Sequence, residues 1–151
     1  MELILVLFIV GLAAGLATPY VASTLDRVKN QSIVRKIASA LRFARTKAIS
    51  QKTPVAFNAS IDDKQYWLTE AKTNDLIGNA ITLGPEIRIT QFSDQNVQLT
   101  QGAFAIVFFP QGNSSGGSIH LETTVSGKPG SRYSITLDQI TGKPYVEEAA
   151  Q

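Results

Sequence analysis

The sequence predicts an α+β chain: one long N-terminal hydrophobic helix packed on a small antiparallel β-rich globular domain. Three observations predict it. The first 25 residues carry a single charged side chain, Glu2. From residue 26 to about residue 50, apolar positions return with a helical period. After Pro54 that period gives way to short alternating or apolar runs, separated by Gly, Pro, Asp and Asn. The boundaries follow: an apolar helix over 1–25, its amphipathic continuation over 26–52, and the β-rich domain over 53–151.

The apolar helix comes first. Residues 3–17 are all apolar or glycine. As a helix, residues 1–25 extend roughly 37 Å at about 1.5 Å per residue, enough for a hydrocarbon core of about 30 Å. A cleavable secretory signal opens with Lys or Arg before its apolar core, and none precedes the run here. A helix apolar on all sides over this length belongs in lipid or among other helices rather than at the edge of a small core. A single membrane span is therefore expected. Glu2 is the anomaly, because a carboxylate ending an apolar span is costly at depth unless it finds a partner. It reaches back to the interface or pairs with a cation from a neighbouring chain. Gly11 and Gly15 have the small-xxx-small spacing that lets helices approach closely. Pro19 lacks a backbone donor and disfavours helical geometry at Thr18, so a kink or a melted turn is expected there.

The order of Glu2, the apolar run Leu3-Ile-Leu-Val-Leu-Phe-Ile-Val10, Gly11 and Pro19 resembles the N-terminus shared by type IV pilins and type II secretion pseudopilins. The resemblance implies a pilin-like fold and places Met1 just before the family's Glu. It also implies a few further mature residues and a basic leader ahead of Met1, with cleavage by a prepilin peptidase and methylation of the product. Glu2, Gly11, Gly15 and Pro19 then become assembly residues of a filament.

The continuation over 26–52 places Val28, Ile33, Val34, Ile37, Leu41, Ala44 and Ala48 near a 3.6-residue period. Arg27, Lys29, Arg35, Lys36, Arg42, Arg45 and Lys47 supply the other faces, with Asp26 as the acid. Such a cationic helix fits a solvated face, or cations near a membrane surface, better than a nucleic-acid footprint. Pro54 ends the helix by biasing Thr53 to extended geometry. The stretch Ala40-Leu-Arg-Phe-Ala-Arg-Thr-Lys-Ala-Ile49, running into Pro54-Val-Ala-Phe57, resembles the GspH/FimT branch of the pseudopilins.

The remainder reads as β. Residues 55–61 and 65–69 flank Asp62-Asp63-Lys64 as a hairpin with Tyr66 and Trp67 on its second strand. Residues 72–79 and 126–130 read as polar connections. Residues 87–92 alternate, with Ile87, Ile89 and Gln91 on one face and Arg88, Thr90 and Phe92 on the other. Residues 103–109 form a continuous apolar run bounded by Gly102 and Pro110, which predicts a buried central strand. A glycine-rich turn over 111–117 precedes strands at 118–123, 132–137 and 143–147. Phe108-Phe-Pro-Gln-Gly112, Gly116-Gly117 and Thr141-Gly142 also resemble the GspH/FimT pattern. No internal repeat is present.

Composition excludes several functions. The 14 Lys and Arg against 12 Asp and Glu leave +2, without the clustering of a dedicated nucleic-acid binder. The chain has no cysteine, hence no disulfide or thiolate metal site. Ser118, His120 and Glu122 share a strand face, but alternate residues sit roughly 6.6–6.8 Å apart, too far for a nucleophile–base pair. His120 is the sole histidine, and Asp62, Asp63 and Asp75 do not make a calcium-loop spacing. The glycines of 112–117 lack the Lys-Ser/Thr of a phosphate loop. The Asn-x-Ser sequons at Asn30, Asn58 and Asn113 read as chance. No catalytic residue, metal site, cofactor or nucleic-acid site is expected.

Two function classes remain in front. The resemblance implies a structural minor pseudopilin in the bacterial inner membrane, single-pass, with its globular domain in the periplasm. Its implied partners are the major pseudopilin, other minor pseudopilins and, for the precursor, prepilin peptidase. The alternative is a FimT-like minor type IV pilin serving DNA uptake. A single-span protein with a periplasmic β sensor domain is a third.

Overall fold

A computed structural model describes residues 2–125 and 127–149; for Glu2 and residues 13–27 it describes the helical backbone and not the side chains. Helix α1 spans Glu2–Gln51 as one element. It runs uninterrupted past Pro19, so the melted turn expected there does not form. In its second half the helical period sets the packing: Val34, Ile37, Ala38, Leu41, Ala44 and Ala48 are all buried. Val28, expected on that stripe, is 61% exposed instead, and Asn30 is the first buried residue among the described side chains of the helix. Lys52 takes a left-handed φ of 56° after the last turn, and Pro54 follows.

Among the described residues nine strands succeed the helix: β1 (Val55–Ser60), β2 (Gln65–Glu70), β3 (Leu76–Thr82), β4 (Ile87–Ser93), β5 (Gln98–Leu99), β6 (Ala103–Phe108), β7 (Gly117–Val125), β8 (Lys128–Leu137) and β9 (Pro144–Ala149). They form two sheets, in the orders β3-β2-β1-β6 and β5-β4-β7-β8-β9, with every pairing antiparallel. Phe92 of β4 stacks on Phe104 of β6 at 4.2 Å between ring centroids, which joins the two sheets. One core results, built from the α1 stripe and the facing sides of both sheets.

The expected hairpin closes with Ser60 opposite Gln65, and Lys64 takes a φ of 51° in the connecting turn. Elsewhere the structure corrects the sequence reading. The segment 72–79, expected as a connection, contributes to β3, an exposed edge strand with no buried face to mark it. Phe92, expected opposite Ile87 and Ile89, is buried with them because a register shift between Ile89 and Gln91 turns it inward. The apolar run of β6 is an edge strand, not a central one: Ala103 and Ala105 are exposed while Phe104, Ile106 and Phe108 are buried. Its outer edge is satisfied by a loop instead of a strand. Ser115 N donates to Val107 O at 2.8 Å, and Val107 N donates to Ser115 Oγ at 3.1 Å. The expected connection at 126–130 is shorter, since β8 starts at Lys128.

Candidate assembly surface

Two parts of α1 differ in what surrounds them. From Leu3 to Leu12 every large apolar side chain is 53–74% exposed, on all sides of the helix. Gly11 lies in this rod, and a Cβ placed on it would meet nothing within 4 Å. The side chains of Glu2, Gly15 and Pro19 lie outside the described ones. No described helix is long and apolar enough to cross a membrane, a statement that does not cover the side chains of 13–27.

From Asn30 onward the helix is bolted to the domain at both ends. At the upper end Asn30 is 2% exposed, and its Nδ2 donates to Thr124 O at 3.1 Å. Lys29 pairs with Glu86 in the turn before β4, and the hydrogen bond from Lys29 holds that carboxyl below its usual range. At the lower end, Arg45 Nε donates to Gly112 O at 3.0 Å and to Thr141 O at 2.7 Å. One guanidinium therefore clasps two loops that lie 67 and 96 residues away in sequence.

The clasp explains the glycines on either side of it. Gly142 has a φ of 62°, and a Cβ there would stand 2.5 Å from Gly112 O. Gly112 has a φ of 90°, and its Cβ would press Arg45 Nη2 at 3.2 Å. The loops are laced further: Ser114 N donates to Gln139 O at 2.9 Å and Ser114 Oγ donates to Asp138 O at 3.1 Å. Asp138 Oδ1 accepts from Thr141 N at 2.6 Å and Thr141 Oγ1 at 2.9 Å, bonds that pull its pKa down. Three short motifs of the sequence, Ala44-Arg45, the Pro110-Gln-Gly112 turn and Thr141-Gly142, are thus one structural unit.

The remaining candidates resolve into strand-face pairing. Ser118 Oγ lies 3.1 Å from Thr136 Oγ1, and Glu122 accepts from Arg88 and faces Arg132 at 3.6 Å. The Arg88 hydrogen bond dominates in lowering the Glu122 pKa. Ser118, His120 and Glu122 stand opposite different residues across the sheet, and the structure does not bring them together into a site. Among the described residues no cluster of His, Cys, Asp and Glu could hold a metal.

Sequence reasoning missed two anchors. Sequence alone places Arg45 among the solvated cations and Asn30 among chance sequons. For Arg45 the signal was its place inside the alanine-rich buried face; for Asn30 it was its spacing of four from Val34.

A family model described as type II transport protein GspH matches residues 34–141. The chain belongs to this family. The GspH match opens at Val34, on the buried stripe, and closes at Thr141, an acceptor of the Arg45 clasp. The type II secretion system protein H of Xanthomonas campestris pv. campestris is 30% identical over 143 residues, covering 95% of this chain and 78% of the relative. Among solved structures, the minor pseudopilin EpsH from the type 2 secretion system of Vibrio cholerae superposes with a TM-score of 0.58 at 10% identity, covering 80% of this chain and 95% of that one. The type IV minor pilin FimU of Pseudomonas aeruginosa gives 0.55 at 15% identity, covering 78% and 91%. At such identities the two structures speak for the pilin-like fold alone. As a GspH-family protein the chain is a type II secretion minor pseudopilin, a structural subunit of that secretion system.

Proposed function

We propose that this GspH-family chain is held in the bacterial inner membrane by the first half of α1, with its globular domain in the periplasm. There it assembles through that helix into the periplasmic pseudopilus of type II secretion. The observation that carries the reading is the exposed, uncharged rod of Leu3 to Leu12, projecting from a domain whose core is complete without it. Such a rod is stable in lipid or among other apolar helices, and costly in water. Its partners in this reading are the major pseudopilin and the other minor pseudopilins, with prepilin peptidase acting on the precursor. Glu2, Gly11, Gly15 and Pro19 serve assembly, Glu2 by pairing with the terminal amine of an adjacent processed subunit.

The test is fractionation followed by cross-linking. The full chain sediments with inner membranes, resists extraction by salt, and cross-links from Leu7 to other pseudopilins. A chain beginning at Asp26 leaves the membrane. Recovery of the intact chain in the soluble fraction, or a Leu7 position without pseudopilin cross-links, overturns the proposal. Electrostatics do not favour the FimT-like, DNA-uptake alternative. After Lys52 there are six cations against ten acids, and two of the cations, Arg88 and Arg132, are engaged by Glu122.

A further inference from the structure

Sheet edges are hazardous, because unpaired N–H and C=O groups invite another strand, and proteins usually blunt them. Of the four outer strands among the described residues, three are blunted. β6 is covered by the Ser114–Ser115 turn, β5 has two residues, and β9 begins at Pro144 and carries Glu147 and Glu148. The fourth, β3, has neither charge nor proline, and nearly all of it is exposed.

A register shift opposite Trp67 divides β3, leaving Ala80-Ile81-Thr82 as its second half. Leu83 N donates to Lys64 O at 2.7 Å, so alternation directs the N–H and C=O of Thr82 away from β2, and the planar peptide before Ile81 turns the Ala80 carbonyl the same way. Ile81, paired with Tyr66 and on the same face, is 49% exposed. Beside this half-strand runs a groove of about 650 Å³ between α1 and the sheet, continuing into one of about 460 Å³ toward Glu86. Its apolar lining is Val28, Ala40, Tyr66 and Ile81, and Arg35 and Lys36 stand exposed along it. No acid occurs between Arg27 and Asp62 in the sequence.

We propose that this groove is a docking site for an extended segment of another pilin-like subunit, which adds to β3 as a strand and alternates apolar with acidic side chains. The inference rests on the proposed assembly function. Ala80 and Thr82 supply the backbone bonds, the apolar lining takes one set of side chains, and Arg35 and Lys36 take the carboxylates. A second copy pairing β3 to β3 would bring the same cations to the same place, which favours a different subunit as the occupant.

A photoreactive amino acid replacing Ile81 in the full chain, in cells with the complete secretion system, tests it. The expected result is a cross-link to another pseudopilin. Thr82→Pro, which removes an outward N–H, should reduce it about tenfold, the loss carried by one well-placed interface contact. Arg35→Glu with Lys36→Glu should do the same without touching the strand. Fluorescence of Trp67, the sole tryptophan, reports in each variant that β2 is still folded. A cross-link to a second copy or to lipid overturns the proposal, as does one indifferent to both variants, or none. Leu7 cross-links distinguish the two readings: if they persist while Ile81 is silent, the β3 site alone is wrong, and if they vanish, the assembly reading is wrong.

Discussion

Replacing Arg45 by Ala tests whether the loop clasp holds the globular domain together. The Nε–H of Arg45 is shared between Gly112 O at 3.0 Å and Thr141 O at 2.7 Å, and among the described residues no other side chain donates to either carbonyl. A hydrogen bond from a charged donor contributes about 1.5–3 kcal/mol. Because Arg45 is half-buried, water replaces part of that in the variant, and the expected cost is about 2 kcal/mol. For a domain near this size the loss lowers Tm by roughly 8–10 °C. The assay is urea and thermal unfolding of the detergent-solubilised chain, followed by Trp67 fluorescence. Arg42→Ala is the control: Arg42 is exposed, and its removal should stay within about 0.5 kcal/mol. A cycle with Gly142→Ala sharpens the test. A Cβ on Gly142 breaks the same junction from the other side, so the two losses should be coupled by about 0.5–3 kcal/mol rather than add. If Arg45→Ala behaves like Arg42→Ala, or if the cycle is additive, the clasp is not a stabilising unit.

Glu2→Val should leave membrane insertion intact while weakening cross-links to other pseudopilins and secretion, and Glu2→Lys should be worse, since it sets like charges together; parental behaviour of both variants would remove charge pairing from the mechanism. Leu41→Ala, at a position with no exposure, should cost about 2–5 kcal/mol in the same urea assay, and a cost under about 1 kcal/mol would contradict the core assignment. Glu86 and Glu122 have pKa values held below the ordinary 4.5, so their ion pairs stabilise the fold above that value and are lost as pH falls through the lower folded values. The urea midpoint should therefore drop on acidification below about pH 4.5, and Glu122→Gln should flatten the drop. Purified protein should give no salt-sensitive mobility shift with duplex DNA at physiological ionic strength; a shift at low micromolar protein would promote the DNA-uptake alternative.

Much of the fold was legible because burial leaves a periodic trace. The helical stripe from Val34 to Ala48 and the strand at Val55 could be read directly, since those positions face the core whatever surrounds them. β3 left no trace, because an edge strand with both faces exposed has no alternation to read. Phe92 was assigned to the wrong face because a register shift reverses alternation midway along β4 and is itself silent in sequence. The run at β6 was assigned as central because continuous hydrophobicity does not distinguish a strand flanked by strands from one whose edge a loop closes. Likewise Lys29 looked like one more solvated cation, and only the turn before β4 supplied Glu86.

By itself the sequence determined the apolar first 25 residues with Glu2 as their one charge, the helical period that follows, and the change to strands after Pro54. Each is a local property, because a helix or strand facing a core repeats its apolar positions along a few neighbouring residues. The tertiary structure alone decided which residues 67 and 96 positions from Arg45 would lend it their carbonyls, and which strand edge would be left open beside Arg35 and Lys36. Those outcomes depend on contacts between segments far apart in the chain, and a hydrogen-bond partner at that distance imposes no period on the residues around it.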